Sequence, residues 1–397
     1  MKPIEPAAHI QSISEYYFSV KLAEVARMNA EGKDVISLAV GAPDRMPSAE
    51  TIDTLCEAAR RPDAHAYQPY TGIPELRRAY ADWYKRIYHV DLAQDEVLPL
   101  IGSKEGILHI SMTFLNFGDA VLVPNPGYPT YTSVSNLLRA RVVPYDLVED
   151  EGWQPDFEAL ERLDLTGVKL MWVNYPNMPT GANASMPLFE KLVAFGKKHG
   201  IIICHDNPYS FILNDAPLSI LSVPGARDIC IELNSLSKSH NMSGWRMGML
   251  ASNPQFVQWV LKAKSNIDSG QFKPMQLAAV AALSNSFAWH AEMNRLYAER
   301  RIWAEKIMEL LHATYDKRQV GLFVWGKLPD GAPDGESLVD ELLQGARVFI
   351  TPGFIFGSNG ERFIRISLGA AVEKLQQAYM RIEEYLQRQR QRIMSNE

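Results

Sequence analysis

The sequence has few cysteines, and none of them is spaced for a metal site. It contains 3 cysteines among 397 residues, namely Cys56, Cys204 and Cys230. No CxxC spacing occurs, so neither a zinc site nor a disulfide framework is indicated. Cys204 and Cys230 lie inside apolar runs, which favours small buried hydrophobic side chains without chemistry. We therefore predict no bound metal.

Long hydrophobic runs and a strong excess of one charge are also missing. No run approaches the roughly 20 apolar residues that span a bilayer, and the opening MKPIEPAAHIQSISEYYF lacks the apolar core of a signal peptide. The net charge of -6 and the pI of about 5.9 give no general electrostatic attraction to nucleic acid or to an anionic membrane. We expect a cytoplasmic protein with neither kind of partner.

Short apolar runs alternate with segments of helical period in the middle of the chain, between about residues 97 and 251. This rhythm is typical of an α/β fold in which a mostly parallel sheet is covered by helices on both faces, giving three layers. The segment MPLFEKLVAFGKKHG has Pro187 near a helix start and Gly200 just past its end, as such a helix requires. The predicted strands lie at 97–101, 120–124, 141–145, 168–173, 200–205, 228–233 and 246–251.

The pattern changes after about residue 290. A long helical stretch comes first, then three short strand-like runs, GLFVWGKL, ARVFITPG and RFIRISLG, and then a final helix from about residue 370. A chain of this length allows one large domain and a smaller one. We predict a large α/β domain over 45–289, and a small α+β domain formed by 1–44 together with 290–397.

Polar motifs follow five of the seven predicted strands. In open α/β sheets ligands sit beyond the carboxyl ends of the strands, because loops and helix N-termini converge there. Five such loops on one sheet edge therefore predict a binding site at that edge. The motifs are GSKEG, NPGYP, NYPNMPTG, DNPYS and NSLSKS.

Lys238 lies in the last of these motifs, within SLSKSHNMSGWR. A carbonyl cofactor that is held covalently needs a lysine whose amine loses its proton near neutral pH. Ser235 and Ser237 precede this lysine and Arg246 follows it. Hydroxyl groups and a guanidinium fork can bracket a phosphate dianion, so the motif predicts a lysine beside a phosphate site.

The other motifs supply complementary groups. Asp206 ends a strongly apolar run, where an unpaired carboxylate is costly; a protonated pyridine nitrogen is a suitable partner, and Tyr209 could then reach the ring's phenolic oxygen. Ser103 and Lys104 begin a helical pattern, so their backbone N–H groups are free to bind phosphate. Tyr128 in NPGYPTY could stack on the ring.

These residues together resemble a family. The chain is similar to fold-type I pyridoxal phosphate enzymes of the aspartate aminotransferase superfamily, classes I and II, from the glycine of VGAPD to RISLG. The stretch SLSKSHNMSGWRMG resembles the Ser-x-Ser-Lys…Gly-x-Arg signature of these enzymes. The resemblance implies a pyridoxal phosphate-dependent aminotransferase, which moves an amino group between an L-amino acid and a 2-oxo acid in two alternating half-reactions.

The resemblance also implies roles for individual residues. Lys238 would hold the cofactor as a Schiff base and then move the proton, while Asp206 would bind the pyridine nitrogen and Tyr209 the phenolic oxygen O3′. Tyr128 would stack on the ring. The phosphate would be held by Ser103 and Lys104 through their backbone, by Ser235 with Ser237 beside it, and by Arg246.

Further implied roles concern the substrate and the partner subunit. Gly41 and Arg365 match the groups that receive the substrate's α-carboxylate, and Arg365 suits this role because its planar fork pairs with two oxygens. Tyr67 in YQPYTGIPELR matches a tyrosine that reaches the phosphate of the neighbouring subunit, which implies a homodimer with shared active sites. Tyr16, Tyr17 and Phe18 resemble the tyrosine-bearing segment of LL-diaminopimelate aminotransferase-like members, and Tyr17 is a candidate substrate contact.

One position departs from the family pattern. Where the family reads Asn-Pro-Thr-Gly, with the Asn donating to O3′, this chain reads Asn177-Met178-Pro179-Thr180-Gly181. Met178 cannot donate a hydrogen bond. Either Asn177 reaches in from one residue earlier or Tyr209 alone holds O3′.

Two other functions are open on the sequence alone. One is a pyridoxal phosphate-dependent C–S β-lyase of the same fold, because the fold and the cofactor site do not fix which bond to Cα breaks. The other is a non-enzymatic protein that keeps the fold and binds a regulator. The intact set of Lys238, Asp206 and Arg246 argues against the second.

Overall fold

A single large sheet forms the centre of the structure, a computed structural model that describes residues 3–11 and 17–395. Within these residues seven strands join in the order β2-β8-β7-β6-β5-β3-β4, and β8 runs antiparallel to both of its neighbours while the other neighbouring pairs are parallel. The mostly parallel sheet predicted from the sequence is thus confirmed. Its strands are β2 (Val97–Leu100), β3 (Ala120–Asn125), β4 (Arg141–Asp146), β5 (Val168–Asn174), β6 (Ile202–Asp206), β7 (Cys230–Ser235) and β8 (Gly248–Ala251).

Alternate residues of each central strand enter different hydrophobic clusters, because successive side chains of a strand point to opposite faces. In β5, Leu170 and Trp172 belong to one cluster, whereas Met171 and Val173 belong to the other. Both faces are therefore covered, as the long apolar strands of a parallel sheet require. The buried Cys204 and Cys230 pack in these clusters as small apolar side chains.

Helices from between the strands, and from before the first and after the last strand of the sheet, cover its two faces. Apolar residues of α5, α6 and α10 line one cluster, and those of α4, α8 and α11 line the other. None of the helices in the described ranges has the length and apolar character needed to cross a membrane. The first eleven helices are α1 (Ala8–Gln11), α2 (Tyr17–Ala30), α3 (Ala49–Ala59), α4 (Pro74–Tyr88), α5 (Ser103–Phe114), α6 (Pro129–Leu137), α7 (Phe157–Arg162), α8 (Met186–His199), α9 (Leu236–Ser239), α10 (Pro254–Lys264) and α11 (Lys273–Leu283).

Local sequence signals set the ends of α8. Ser185 caps its start by accepting a hydrogen bond from the backbone of Leu188 at 3.3 Å, and Pro187 lies in its first turn, where a missing N–H costs nothing. Gly200 ends it in the left-handed conformation with φ of 66°, which glycine adopts without strain. The strand β6 then follows at once.

The last part of the chain packs with the first. The short strand β1 (Ile36–Ser37) pairs in parallel with β10 (Val348–Phe349), and a separate antiparallel sheet has the order β11-β12-β9. This pairing fits the expectation that residues 1–44 join 290–397, while the boundaries at 45 and 290 stay a prediction. The remaining elements are α12 (Phe287–Leu310), β9 (Phe323–Lys327), α13 (Gly335–Gly345), β11 (Thr351–Pro352), β12 (Phe363–Ser367) and α14 (Val372–Met394).

Candidate active site

A cavity of about 340 Å³ lies at the carboxyl ends of the parallel strands. Its walls come from the loops after β3, β5, β6 and β7, together with β12 and the segment after β1. The strand ends thus converge as predicted for a sheet of this type. The sequence-predicted residues that the structure brings together in this cavity are Gly41, Ser103, Lys104, Tyr128, Asp206, Tyr209, Ser235, Ser237, Lys238, Arg246 and Arg365.

Lys238 lies in the short helix α9, directly after β7, and its side chain is largely buried in the cavity. Burial disfavours the charged amine and, together with the nearby guanidinium groups of Arg246 and Arg365, lowers the pKa of Lys238 to about 8. The amine donates to the backbone oxygen of Gly41. The lowered pKa makes the unprotonated amine, which attack on a carbonyl carbon requires, more accessible near neutral pH than in an ordinary lysine.

Asp206 is the last residue of β6 and is 4% exposed. Its Oδ2 accepts a hydrogen bond from the Tyr131 hydroxyl at 3.0 Å, while its Oδ1 is buried and has no hydrogen-bond partner among residues 3–11 and 17–395. Burial raises the pKa of Asp206 to about 6, against the opposing effects of Tyr131 and His205. A buried carboxylate oxygen without a donor is costly, so this oxygen fits a protonated ring nitrogen in the cavity.

An anion site is built where α5 begins. The backbone N–H groups of Ser103 and Lys104 lie in the first turn, where N–H groups lack partners within the helix and favour negative charge. Gly102 precedes them with φ of 79°, and a Cβ at this position would overlap Nη2 of Arg246. The guanidinium can approach the helix start only because position 102 is glycine.

Two serines complete this anion site. The Arg246 Nη1 atom donates to Ser237 Oγ at 3.3 Å and to the Ser243 carbonyl at 2.8 Å, which fixes the fork at the cavity wall. The Ser235 hydroxyl caps α9 by accepting from the backbone of Ser237 at 3.1 Å. A phosphate group matches this set of a helix N-terminus, hydroxyl groups and a guanidinium.

Aromatic rings flank the cavity. Tyr128 is the residue before α6, and its ring meets Tyr131 edge to face at 5.6 Å. Burial raises the pKa of Tyr128 above its usual value, so its phenol stays neutral. Tyr209 lies in the loop after β6 and meets Phe323 edge to face at 5.7 Å. Both rings line the cavity, where an aromatic cofactor could pack against them.

A buried arginine closes the opposite wall. Arg365 in β12 is 5% exposed, and its guanidinium lies over the ring of Phe323 at 4.0 Å and over that of Phe356 at 4.7 Å. Its Nη2 donates to the Ala39 carbonyl at 2.9 Å. A Cβ at Gly41 would lie 2.6 Å from the Phe323 ring, so glycine is needed where the backbone passes this aromatic wall. The guanidinium fork suits a carboxylate in the cavity.

Asn177 does not reach the cavity, which corrects one prediction. Its Nδ2 donates to the Asn174 carbonyl at 3.1 Å, and its Oδ1 accepts from the backbone and hydroxyl of Thr180 at 3.3 and 2.8 Å. Both polar atoms are thus used within the turn that contains Met178. Met178 itself lines the cavity. Asn177 thus bonds within its own turn and is not among the residues that line the cavity, which favours the alternative in which Tyr209 alone holds O3′.

Two predicted tyrosines lie outside the main cavity. Tyr17 lines an adjoining cavity of about 820 Å³ that shares Lys104 and Tyr128 with the first, while its neighbour Phe18 lines the first. Tyr67 is 93% exposed and does not approach the site within one chain. Tyr16 falls outside the described residues.

Sequence reasoning missed two polar residues that hold Asp206. Tyr131 donates to its carboxylate and stacks on Trp172 with an interplanar angle of 4°. Asn174, at the end of β5, donates from Nδ2 to the Asp206 carbonyl at 2.7 Å. Tyr131 lies three residues after Tyr128, which places both at the start of one helix. The three-residue spacing from Tyr128 was the one sequence feature that could have indicated that Tyr131 also lies near the site.

The fold and the site define a class of enzyme that binds a phosphorylated aromatic aldehyde on a lysine. Residues 33–382 match the family described as Aminotransferase class I and II, and the chain belongs to that family. It is a pyridoxal phosphate-dependent aminotransferase, acting on amino acids and 2-oxo acids. The site fits this cofactor in two respects: Asp206 has a buried carboxylate oxygen without a donor in the described structure, and the start of α5 forms an anion site.

Particular relatives cover nearly the whole chain. An LL-diaminopimelate aminotransferase of Oleidesulfovibrio alaskensis is 40% identical over 381 residues, which are 95% of this chain and 98% of that protein. A protein of the same name from Dehalococcoides mccartyi is 38% identical over 379 residues, with 95% and 97% covered. The substrate-bound structure of BacF from Bacillus subtilis is 36% identical, has a TM-score of 0.90 and covers 96% of this chain and 98% of its own.

Proposed function

We propose that Lys238 and Asp206 bind the cofactor and control its reactivity. The observation that carries this proposal is that a buried lysine with a pKa of about 8 shares one cavity with a buried carboxylate oxygen that has no donor in the described structure. Bound pyridoxal phosphate supplies an electron sink for the bonds to the substrate's Cα. Asp206 keeps the ring nitrogen protonated, which maintains that sink.

The remaining residues orient the reacting groups. With the cofactor bound, Lys238 would be the group that accepts and returns the proton at the substrate's Cα. Arg365 binds the α-carboxylate with its fork, with the backbone at Gly41 beside it, so that Cα–H points toward Lys238. Tyr209 would donate to the phenolic oxygen of a bound cofactor. Because Met178 has no donor, Tyr209 is the side chain to which we assign this hydrogen bond.

Phosphate anchoring fixes the cofactor against the sheet edge. We assign it to the backbone N–H groups of Ser103 and Lys104, the hydroxyls of Ser235 and Ser237, and the fork of Arg246. One guanidinium and the positive end of α5, worth about half a charge, would offset most of the phosphate's negative charge. The aromatic face of Tyr128 covers the ring and excludes water from it.

A homodimer with shared sites is part of this proposal. Tyr67 is 93% exposed, and Tyr70 and Phe272 are 47% and 42% exposed. Several exposed aromatic side chains in one region of a surface favour burial against another protein. A second copy of the chain would bury them and bring Tyr67 to the phosphate of its neighbour. Light scattering of the purified protein tests the dimer, and a monomer with full activity would refute it. A cytoplasmic location stays a prediction.

We propose LL-diaminopimelate as the first amino donor to test, with 2-oxoglutarate as acceptor, because relatives of 37–40% identity carry that name. A donor with a second carboxylate needs a second cation. Lys104 is exposed and lines both the main and the adjoining cavity, so we assign its ammonium group to the distal carboxylate. The C–S β-lyase alternative gains no support from any contact in the cavity.

A panel of amino donors tests the substrate proposal. Purified enzyme is mixed with single amino acids and 2-oxoglutarate, and glutamate is measured. We expect the highest kcat/KM with LL-diaminopimelate, and we expect Lys104→Met to raise KM for this donor while leaving KM for a monocarboxylic donor within about twofold. Release of pyruvate and ammonia from cysteine or cystathionine without glutamate formation would instead identify a lyase.

A further inference from the structure

A buried imidazole and a buried carboxylate lie directly behind the candidate cofactor acid. His205 precedes Asp206 in β6, and Glu232 lies opposite it in β7. Both side chains are 0% exposed, and Nδ1 of His205 is 2.7 Å from Oε2 of Glu232. Because side chains alternate along a strand, His205 lies on the opposite face of the sheet from Asp206, outside the cavity.

Three donors other than His205 surround the carboxylate of Glu232. The Tyr84 hydroxyl donates to Oε1 at 2.7 Å and the Ser219 hydroxyl donates to the same atom at 2.9 Å, while the backbone N–H of Ile220 donates to Oε2 at 3.0 Å. A peptide N–H can only donate. Since both oxygens already accept hydrogen bonds, this environment stabilises the ionised carboxylate.

Both ring nitrogens of His205 face acceptors. Nε2 lies 2.8 Å from the backbone oxygen of Tyr175, and a carbonyl oxygen can only accept, so Nε2 carries a proton. Nδ1 faces the ionised Glu232 and therefore also carries a proton. An imidazole with protons on both nitrogens is cationic. The ring of Phe189 from α8 lies against it edge to face at 4.9 Å.

We propose that His205 is a positioning residue for this enzyme, held as an imidazolium by Glu232 and Tyr175 so that the carboxylate of Asp206 stays in place and ionised. This inference rests on the proposed role of Asp206. Tyr175 follows Asn174, whose side chain donates to the Asp206 carbonyl at 2.7 Å. The imidazolium thus ties the ends of β5, β6 and β7 together at the residue that faces the cofactor.

The positive charge of His205 also favours the ionised form of Asp206. Asp206 is fully buried, which favours its neutral form, and the nearby imidazolium opposes this by lowering the pKa of Asp206. The other groups that face Asp206 are the Tyr131 hydroxyl from α6, the Ser103 hydroxyl from α5 and, in the same cavity, Lys238 and Arg246. A neutral Asp206 could no longer pair with a protonated ring nitrogen. Removal of the charge at position 205 would therefore weaken cofactor binding first at low pH.

The protonation state is measured without the cofactor. In protein labelled with ¹⁵N histidine, the two ring nitrogens of His205, assigned by their loss in a His205→Gln variant, are both expected to carry protons at neutral pH, because both face acceptors. One unprotonated ring nitrogen at neutral pH would overturn the proposal. This result does not depend on whether Asp206 binds the cofactor.

Two neutral variants separate charge from hydrogen bonding. His205→Gln keeps a donor near the Nε2 position and His205→Asn keeps one near the Nδ1 position, while both lose the charge. We measure pyridoxal phosphate binding by equilibrium dialysis as the pH is lowered. Both variants are expected to lose the cofactor at a higher pH than the wild type does, with roughly tenfold weaker binding near pH 6.5. The control Tyr84→Phe removes one hydrogen bond from Glu232 without removing the imidazolium, and its profile should match the wild type.

The outcomes distinguish this inference from the function on which it rests. If both His205 variants bind the cofactor with an unchanged pH profile while Asp206→Asn loses it, His205 has no positioning role and the inference is wrong. If Asp206→Asn binds the cofactor normally, the proposed role of Asp206 fails instead. A shift in only one His205 variant would assign the effect to one hydrogen bond and would overturn the role of the charge.

Discussion

The Nη1 atom of Arg365 lies 3.2 Å from the sulfur of Met178. The candidate carboxylate-binding arginine thus contacts the one residue that departs from the family motif. A thioether is a weak acceptor and offers no proton, so Met178 supports the guanidinium but gives nothing to the cofactor's phenolic oxygen. Met178 therefore lies in the cavity beside the arginine that is the candidate binder of the substrate's carboxylate.

Restoring a donor at this position should change the colour transition of the bound cofactor. We expect Met178→Asn to shift the pH of the absorbance change downward by about one unit, because a hydrogen bond to the ionised phenolic oxygen stabilises it. Met178→Leu, which has similar volume and no donor, should titrate like the wild type. An unchanged transition in Met178→Asn would show that position 178 does not face that oxygen.

Tyr131→Phe tests the hydrogen bond to Asp206. The hydroxyl stabilises the ionised carboxylate, whose pKa burial already raises to about 6. Loss of the hydroxyl raises this pKa further. Cofactor binding needs the ionised carboxylate, so it weakens at a higher pH in the variant as the pH falls. We expect roughly tenfold weaker pyridoxal phosphate binding near pH 6.5 and a smaller effect at pH 8.5, by dialysis. Equal weakening at both pH values would refute this role.

Gly102→Ala tests the approach of Arg246 to the start of α5. The new Cβ would overlap the guanidinium and would also be strained at φ of 79°. Gly118→Ala is a matched control, since Gly118 has φ of 83° and open space where a Cβ would lie. We expect both variants to lose about 1 kcal/mol of unfolding free energy, but only Gly102→Ala to lose affinity for pyridoxal phosphate. Equal affinity in both variants would mean that Arg246 does not bind the phosphate.

The sequence predicted the sheet well because its strands are buried on both faces. All seven apolar runs from 97–101 to 246–251 form strands of the central sheet. Strands of a parallel sheet are buried on both faces, so they appear in the sequence as continuous apolar runs between helical segments. The cavity residues at strand ends followed from the same rule. What the pattern could not give was the direction of individual side chains.

Asn177 shows this limit most clearly. Its position one residue before Met178 made it a reasonable donor, but the hydrogen bonds of the turn decide where its amide points. Tyr131 and His205 show the reverse case. Their roles depend on partners distant in the sequence, Asp206 for one and Glu232 for the other, and such pairs are visible only once the strands and helices are packed.

Reduction of the holoenzyme with borohydride, followed by mass spectrometry of its peptides, tests the central claim most directly. We predict that the pyridoxyl group is found on Lys238 and that Lys238→Ala carries no such adduct, because this is the buried amine with the lowered pKa at the carboxyl ends of the strands. A stable adduct on another lysine, or an adduct retained at full stoichiometry in Lys238→Ala, would contradict the assignment of the site.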